Sequence, residues 1–235
     1  MKTSKGRLLI GALSFVTLGL GLVNLGNEIW TMSSGYIVAA IEDDEIGPVI
    51  VPYDLARSRS ALAIAGCKPD LYRRTVTLQL ARLDAVVADA AAVSPRTELD
   101  DADRLLQQAL SCNPYDGNLW LRSASLELVR TGNLRRAVEF LRMSQLFAPS
   151  EAWIIRARLP VASALTLSKS GTEQILKDDF KALATSKWSR DAANFYLQVP
   201  AATRTTLDQV IGELSPEAAH PFKTWLHRLQ GHRKS

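Results

Sequence analysis

Histidine, cysteine and closely spaced carboxylates are the side chains with which this chain would do chemistry, and they are few and scattered. The three histidines, His220, His227 and His232, all fall within the last 16 residues. On a helix the first two stand two turns apart, roughly 10 Å along the axis, too far to share one metal ion. Histidine therefore supplies no general base or triad member to the rest of the chain. Acids occur as neighbours in Asp43-Asp44, Asp100-Asp101 and Asp178-Asp179. Successive helical residues diverge by roughly 100°, so at least one acid of each pair normally faces water. Asp100-Asp101 also falls in an expected first helical turn, where negative charge complements the helix dipole. The chain has no G-x-S-x-G, phosphate loop, H-E-x-x-H or C-x-x-C, and Gly19-Leu20-Gly21 lies in an apolar run that excludes a dinucleotide loop. These residues point away from an enzyme and imply neither a metal nor a cofactor. The enzymatic alternative is a lytic or transferase α-solenoid using one acidic residue in a closed cleft.

The elements that must carry any site begin with an unusual amino terminus. Between Arg7 and Glu28 lie 20 uncharged residues, Leu8 to Asn27, mostly aliphatic, aromatic or Gly. As a helix they span roughly 30 Å, the thickness of a bilayer's hydrocarbon core. The run leaves through Val23-Asn24-Leu25-Gly26-Asn27, which has no pair of small residues suited to signal-peptide cleavage, and Val38-Ala39-Ala40 lies too far downstream. A retained anchor is the expectation, with Trp30 and Tyr36 at its far interface. Lys2, Lys5 and Arg7 keep the amino terminus in the cytoplasm under the positive-inside bias, so the rest of the chain is expected outside it, in a bacterium the periplasm. Ile64-Ala65-Gly66-Cys67 has the form of a lipoprotein box, but Arg57 and Arg59 precede it and no secretory apolar segment adjoins it.

Charge agrees with this division. The chain carries 28 basic and 24 acidic residues, a formal +4. Without Lys2, Lys5, Arg7 and Glu28 the remainder holds 25 and 23, a net +2, with no basic stripe to mark a nucleic-acid binder. The expected organisation is a cytoplasmic terminus and anchor over 1–30, a tether over 31–53 whose Pro48 and Pro52 favour extended backbone, a helical domain over 54–230, and a basic tail over 231–235.

From Asp54 onward the apolar residues keep helical spacing. Leu99, Ala102, Leu105, Leu106, Ala109 and Leu110 form one stripe, closed by Asn113-Pro114. Asp116-Gly117-Asn118 restarts a helix with Leu121, Ala124, Ser125 and Leu128 on one face, and Gly132-Asn133 turns the chain back into Ala137, Leu141, Ser144 and Leu146. Further helices are expected over 172–184, 191–197, 205–214 and 216–229, with a kink or break at Pro160. The spacing predicts an all-α fold.

Residues 117–149 resemble the tetratricopeptide repeat, a helix-turn-helix unit that stacks into solenoids. Leu121 takes its large first slot, Ala124 and Ser125 its Leu-Gly pair, Leu128 its Tyr slot and Gly132 its turn. Ala137, Leu141 and Pro149 match its second helix, Ser144 stands where Ala is usual, and Ala102, Leu106, Ala109 and Pro114 repeat the preceding half-unit. The resemblance implies a solenoid of about five helical hairpins after the transmembrane helix. It also implies a concave groove for a protein partner, into which Arg122, Leu126, Val129 and Arg130 would look. The Lys and Asn of the charge clamp used by chaperone-tail-binding members are replaced here by Arg122 and Leu126. Cys67 and Cys112 occupy equivalent places near the ends of successive second helices. Outside the cytoplasm two such cysteines are expected to pair if they can meet; otherwise each is a small buried apolar residue. The function that fits is a membrane-anchored extracytoplasmic adaptor or scaffold in an envelope assembly for surface-polysaccharide or protein export, with a cytoplasm-facing adaptor as the inverted-topology alternative.

Overall fold

A computed structural model describes residues 37–39, 41, 51–88, 95–168 and 171–232. Among the described residues the regular structure is helical, with no strand. The chain forms two compact units that meet in sequence between Cys112 and Asn113, inside the stretch read above as one helical domain. No helix among the described residues is long and apolar enough to cross a membrane; the proposed anchor, residues 8–27, lies outside them.

The first unit holds α1 (Val51–Ala65), α2 (Pro69–Ala88) and α3 (Pro95–Cys112), with α2 packed against both α1 and α3. Residues 37–39 and 41 are also helical. Two expectations are corrected here. Helix α1 starts before Pro52, not after it, because Pro52 falls in the first turn, where a backbone N–H has no helical acceptor to lose. Part of the expected tether is also core: Val38 is buried against Leu55 and Leu78, with Ile37 and Ile41 beside it. Those three aliphatics fall on one face of a helical turn, which is why a short run suffices. Gly66 ends α1 at φ 64°, a left-handed conformation natural to glycine, and its N–H donates to Leu62 O at 3.2 Å.

The second unit holds α4 (Gly117–Arg130), α5 (Leu134–Phe147), α6 (Ala152–Leu167), α7 (Glu173–Ala184), α8 (Ser189–Gln198), α9 (Ala201–Glu213) and α10 (Pro216–His232). Asp116 caps α4, its carboxylate accepting from the backbone N–H groups of Asn118 and Leu119 at 2.9 and 3.1 Å. Thr131-Gly132 then turns the chain, and Asn133 caps α5 through Arg136 N. Helix α6 packs against both α4 and α5, and its other side meets α7. One continuous core runs from Leu121 through Leu141, Ile155, Leu176 and Phe180 to Phe222.

No break occurs at Pro160: α6 is continuous from Ala152 to Leu167. Pro160 is exposed while Ile155, Leu159, Ala162 and Leu165 on the opposite face are buried. A proline ring turned to solvent costs the helix one hydrogen bond, which burial of that stripe offsets.

Candidate functional site

In the first unit an open cleft of about 610 Å³ is lined by two helical stripes. Arg59, Leu62 and Ala63 come from α1, Asp101, Arg104, Leu105 and Gln108 from α3, and Tyr72 from α2. Both stripes follow the spacing of one helix face, so two short helical surfaces supply most of the wall.

Charge inside the cleft is organised around Asp101. Its Oδ2 lies 3.5 Å from Arg59 Nη1, and its Oδ1 accepts from Arg104. Arg59 also donates through Nη2 to Gln79 Oε1 at 2.6 Å. Fully buried Gln79 passes the chain on, donating to Glu98 Oε2 at 2.9 Å, and Glu98 Oε1 accepts from Arg82 Nε at 2.9 Å. A buried amide and carboxylate thus fix the position of Arg59 from below, as a satisfied polar network does. Arg104 is the more exposed of the two arginines, its side chain 72% exposed against 41% for Arg59. Two guanidinium groups flank one carboxylate, which leaves donor groups and a net positive charge on the wall.

A disulfide closes one end of this structure. Cys67 and Cys112 are bonded, with Cα atoms 5.3 Å apart. One follows α1 and the other ends α3, the two helices whose stripes face the cleft. Each helix packs broadly on α2, and neither packs broadly on the other. The bond and the Arg59–Asp101 contact both tie the two walls to one another directly.

The four residues expected to line a repeat groove sit in different surroundings. Val129 is 68% exposed. Leu126 is buried, so it offers no accessible apolar floor. Arg122 Nε reaches Asn118 Oδ1 at 3.4 Å, and Arg130 pairs with buried Glu127 at 3.5 Å. Glu127 also meets Arg136 at 3.8 Å, so this acid gathers cations from two helices.

The paired acids separate as helical geometry requires. Asp178 is exposed and Asp179 is buried. Asp100 is exposed, and α3 begins at Pro95, which puts Asp100-Asp101 beyond the first turn where they were expected. His220 and His227 are exposed on α10, and among the described residues no group of His, Cys, Asp or Glu is arranged to hold a metal ion.

The arrangement that sequence reasoning missed is the ion pair of Arg158 and Asp179. Arg158 has no exposed surface. Its Nε and Nη2 each donate to one Asp179 oxygen at 2.7 Å, Nη1 donates to Ser144 Oγ at 3.1 Å, and both terminal nitrogens reach Ala148 O at 3.2 Å. Burial pushes the Asp179 carboxyl above its ordinary value, while the bonded guanidinium pulls the other way. The signal was present in the register. Arg158 interrupts the apolar stripe of Ile154, Ile155, Leu159 and Ala162, and Asp179 interrupts that of Ile175, Leu176, Phe180 and Leu183. Two opposite charges, each on the inward face of its helix, fit one another. Ser144, which departs from the repeat pattern, accepts from the same arginine. The pair is enclosed and ties α5, α6 and α7 together; it belongs to the framework of the second unit.

Compared with family models, with curated proteins and with solved structures, the chain matches none.

Proposed function

We propose that the protein is a membrane-anchored adaptor or scaffold whose helical body stands outside the cytoplasm and binds a protein partner in an envelope assembly of the surface-polysaccharide or protein-export kind. The observation that carries this reading is the Cys67–Cys112 disulfide. Such bonds persist in oxidising compartments, and a positively charged terminus followed by 20 uncharged residues is the segment that would deliver the body to one. The adaptor half of the reading draws on helical hairpins that leave an open, mixed polar and apolar cleft. Helix α6 resting on both members of the α4–α5 hairpin is the packing a stacked repeat needs, and it supports a tetratricopeptide-like solenoid for the second unit.

A reporter fused to the carboxy terminus tests the topology. Activity from a reporter that works only outside the cytoplasm is the expected result; activity from a cytoplasm-restricted reporter overturns it in favour of the inverted adaptor. Photo-crosslinkers placed at Val129 and Gln108 in native membranes test the adaptor role, with a discrete protein adduct expected from at least one. Absence of any protein adduct from both positions would sink it.

A further inference from the structure

We propose that the cleft between α1 and α3 binds a carboxylate-bearing peptide segment, with Arg104 and Arg59 as its anion contacts. This deepens the adaptor reading by naming the chemistry of its ligand. The lining holds two arginines and one aspartate, a net single positive charge. That balance suits one carboxylate better than a phosphate dianion, which would leave a charge unmatched in the cleft. Arg59 is oriented by its bond to buried Gln79, so its fork is set before a ligand arrives. Arg104, largely exposed, can turn its remaining N–H groups from Asp101 to an incoming carboxylate without breaking any buried contact. Around this charged centre, Tyr72 and Gln108 supply a hydroxyl and an amide suited to a peptide main chain. Leu62, Ala63 and Leu105 form the apolar surface that the residue next to a carboxylate would cover. Free inorganic anions would leave that surface unused.

The probe is an N-acetylated Leu-Leu-Gln peptide with a free carboxy terminus, which carries one carboxylate, titrated into the full-length chain in neutral detergent and followed by arginine Nε–H NMR signals. Saturable shifts of the Arg59 and Arg104 signals are expected at millimolar peptide, with a loss of about tenfold in affinity when the terminus is amidated. Arg104→Gln, at an exposed position, is expected to weaken binding by a similar factor with unchanged circular dichroism. Gln108→Glu, which places a negative charge in the cleft, gives a second route to the same loss. The proposal is overturned if no saturable shift appears by about 10 mM peptide, if the neutral peptide binds as well as the acidic one, or if inorganic phosphate binds more tightly than the peptide. Loss of peptide binding while the Val129 crosslinker still captures a partner removes the cleft assignment and leaves the adaptor reading standing.

Discussion

Truncating either member of the Arg158–Asp179 pair leaves the other charge enclosed without its partner. Arg158→Leu or Asp179→Leu alone should therefore cost about 3 to 5 kcal/mol in denaturant unfolding. The double variant Arg158→Leu/Asp179→Leu should recover much of that loss, because two leucines need no hydrogen bonds. A double-variant loss equal to the sum of the two single losses would show that the two residues act independently and would refute the pairing. A second residue-scale prediction concerns Gly117, where an added Cβ would overlap the Ala148 side chain and sit 3.0 Å from Ser144 O. Gly117→Ala should destabilise by about 1 to 3 kcal/mol even though alanine is the better helix former; an unchanged melting midpoint would refute this close approach. Single residues were unevenly legible. The helix restart at Asp116-Gly117-Asn118 and the turn at Gly132-Asn133 were legible by residue type, whereas Arg158 and Asp179 are far apart in sequence and each looks like an ordinary surface charge until the register of its own helix is counted.

At the level of elements, a covalent bond and an ion pair join the α1 and α3 sides of the cleft while both helices rest on α2. Replacing Cys67 and Cys112 by serine closes no loop in the unfolded chain, and for a separation of 45 residues the chain-entropy argument gives a loss of about 4 kcal/mol. The unfolding midpoint of the oxidised protein should fall accordingly on reduction. Detection of two free thiols in the unreduced protein would contradict the bond itself. Helix identity was readable because stripes such as Leu105, Leu106 and Ala109 keep their spacing for several turns. Helix ends were less readable. The sequence suggests extended backbone at Pro52 and a kink or break at Pro160, yet Pro52 sits in a first turn and Pro160, facing solvent, leaves α6 unbroken.

For the molecule as a whole, the all-α class of the described residues followed from periodicity, because no stretch longer than the Pro48 to Pro52 run alternates as a half-buried strand must. The division at Cys112 and Asn113 was not legible: Asn113-Pro114 reads as one more turn between helices, and only the distribution of contacts across it distinguishes a turn from a boundary. The cleft was hidden for a related reason. Arg59, Tyr72, Asp101 and Arg104 come from three helices, and no spacing in the sequence relates them. Topology belongs to this scale too, and predicts that cysteine-blocking reagents unable to cross a membrane will label the reduced Cys67 of intact cells stripped of any outer barrier. Labelling that requires permeabilisation would place the body on the cytoplasmic side.

Both cysteines precede Asn113, and the loop between them contains all of α2 and nearly all of α3. That loop can therefore be sealed without any contribution from a residue of the second unit. In the finished protein, a protease cutting once between Cys67 and Cys112 severs the backbone without separating the pieces, and the nick becomes visible only when a reductant is added.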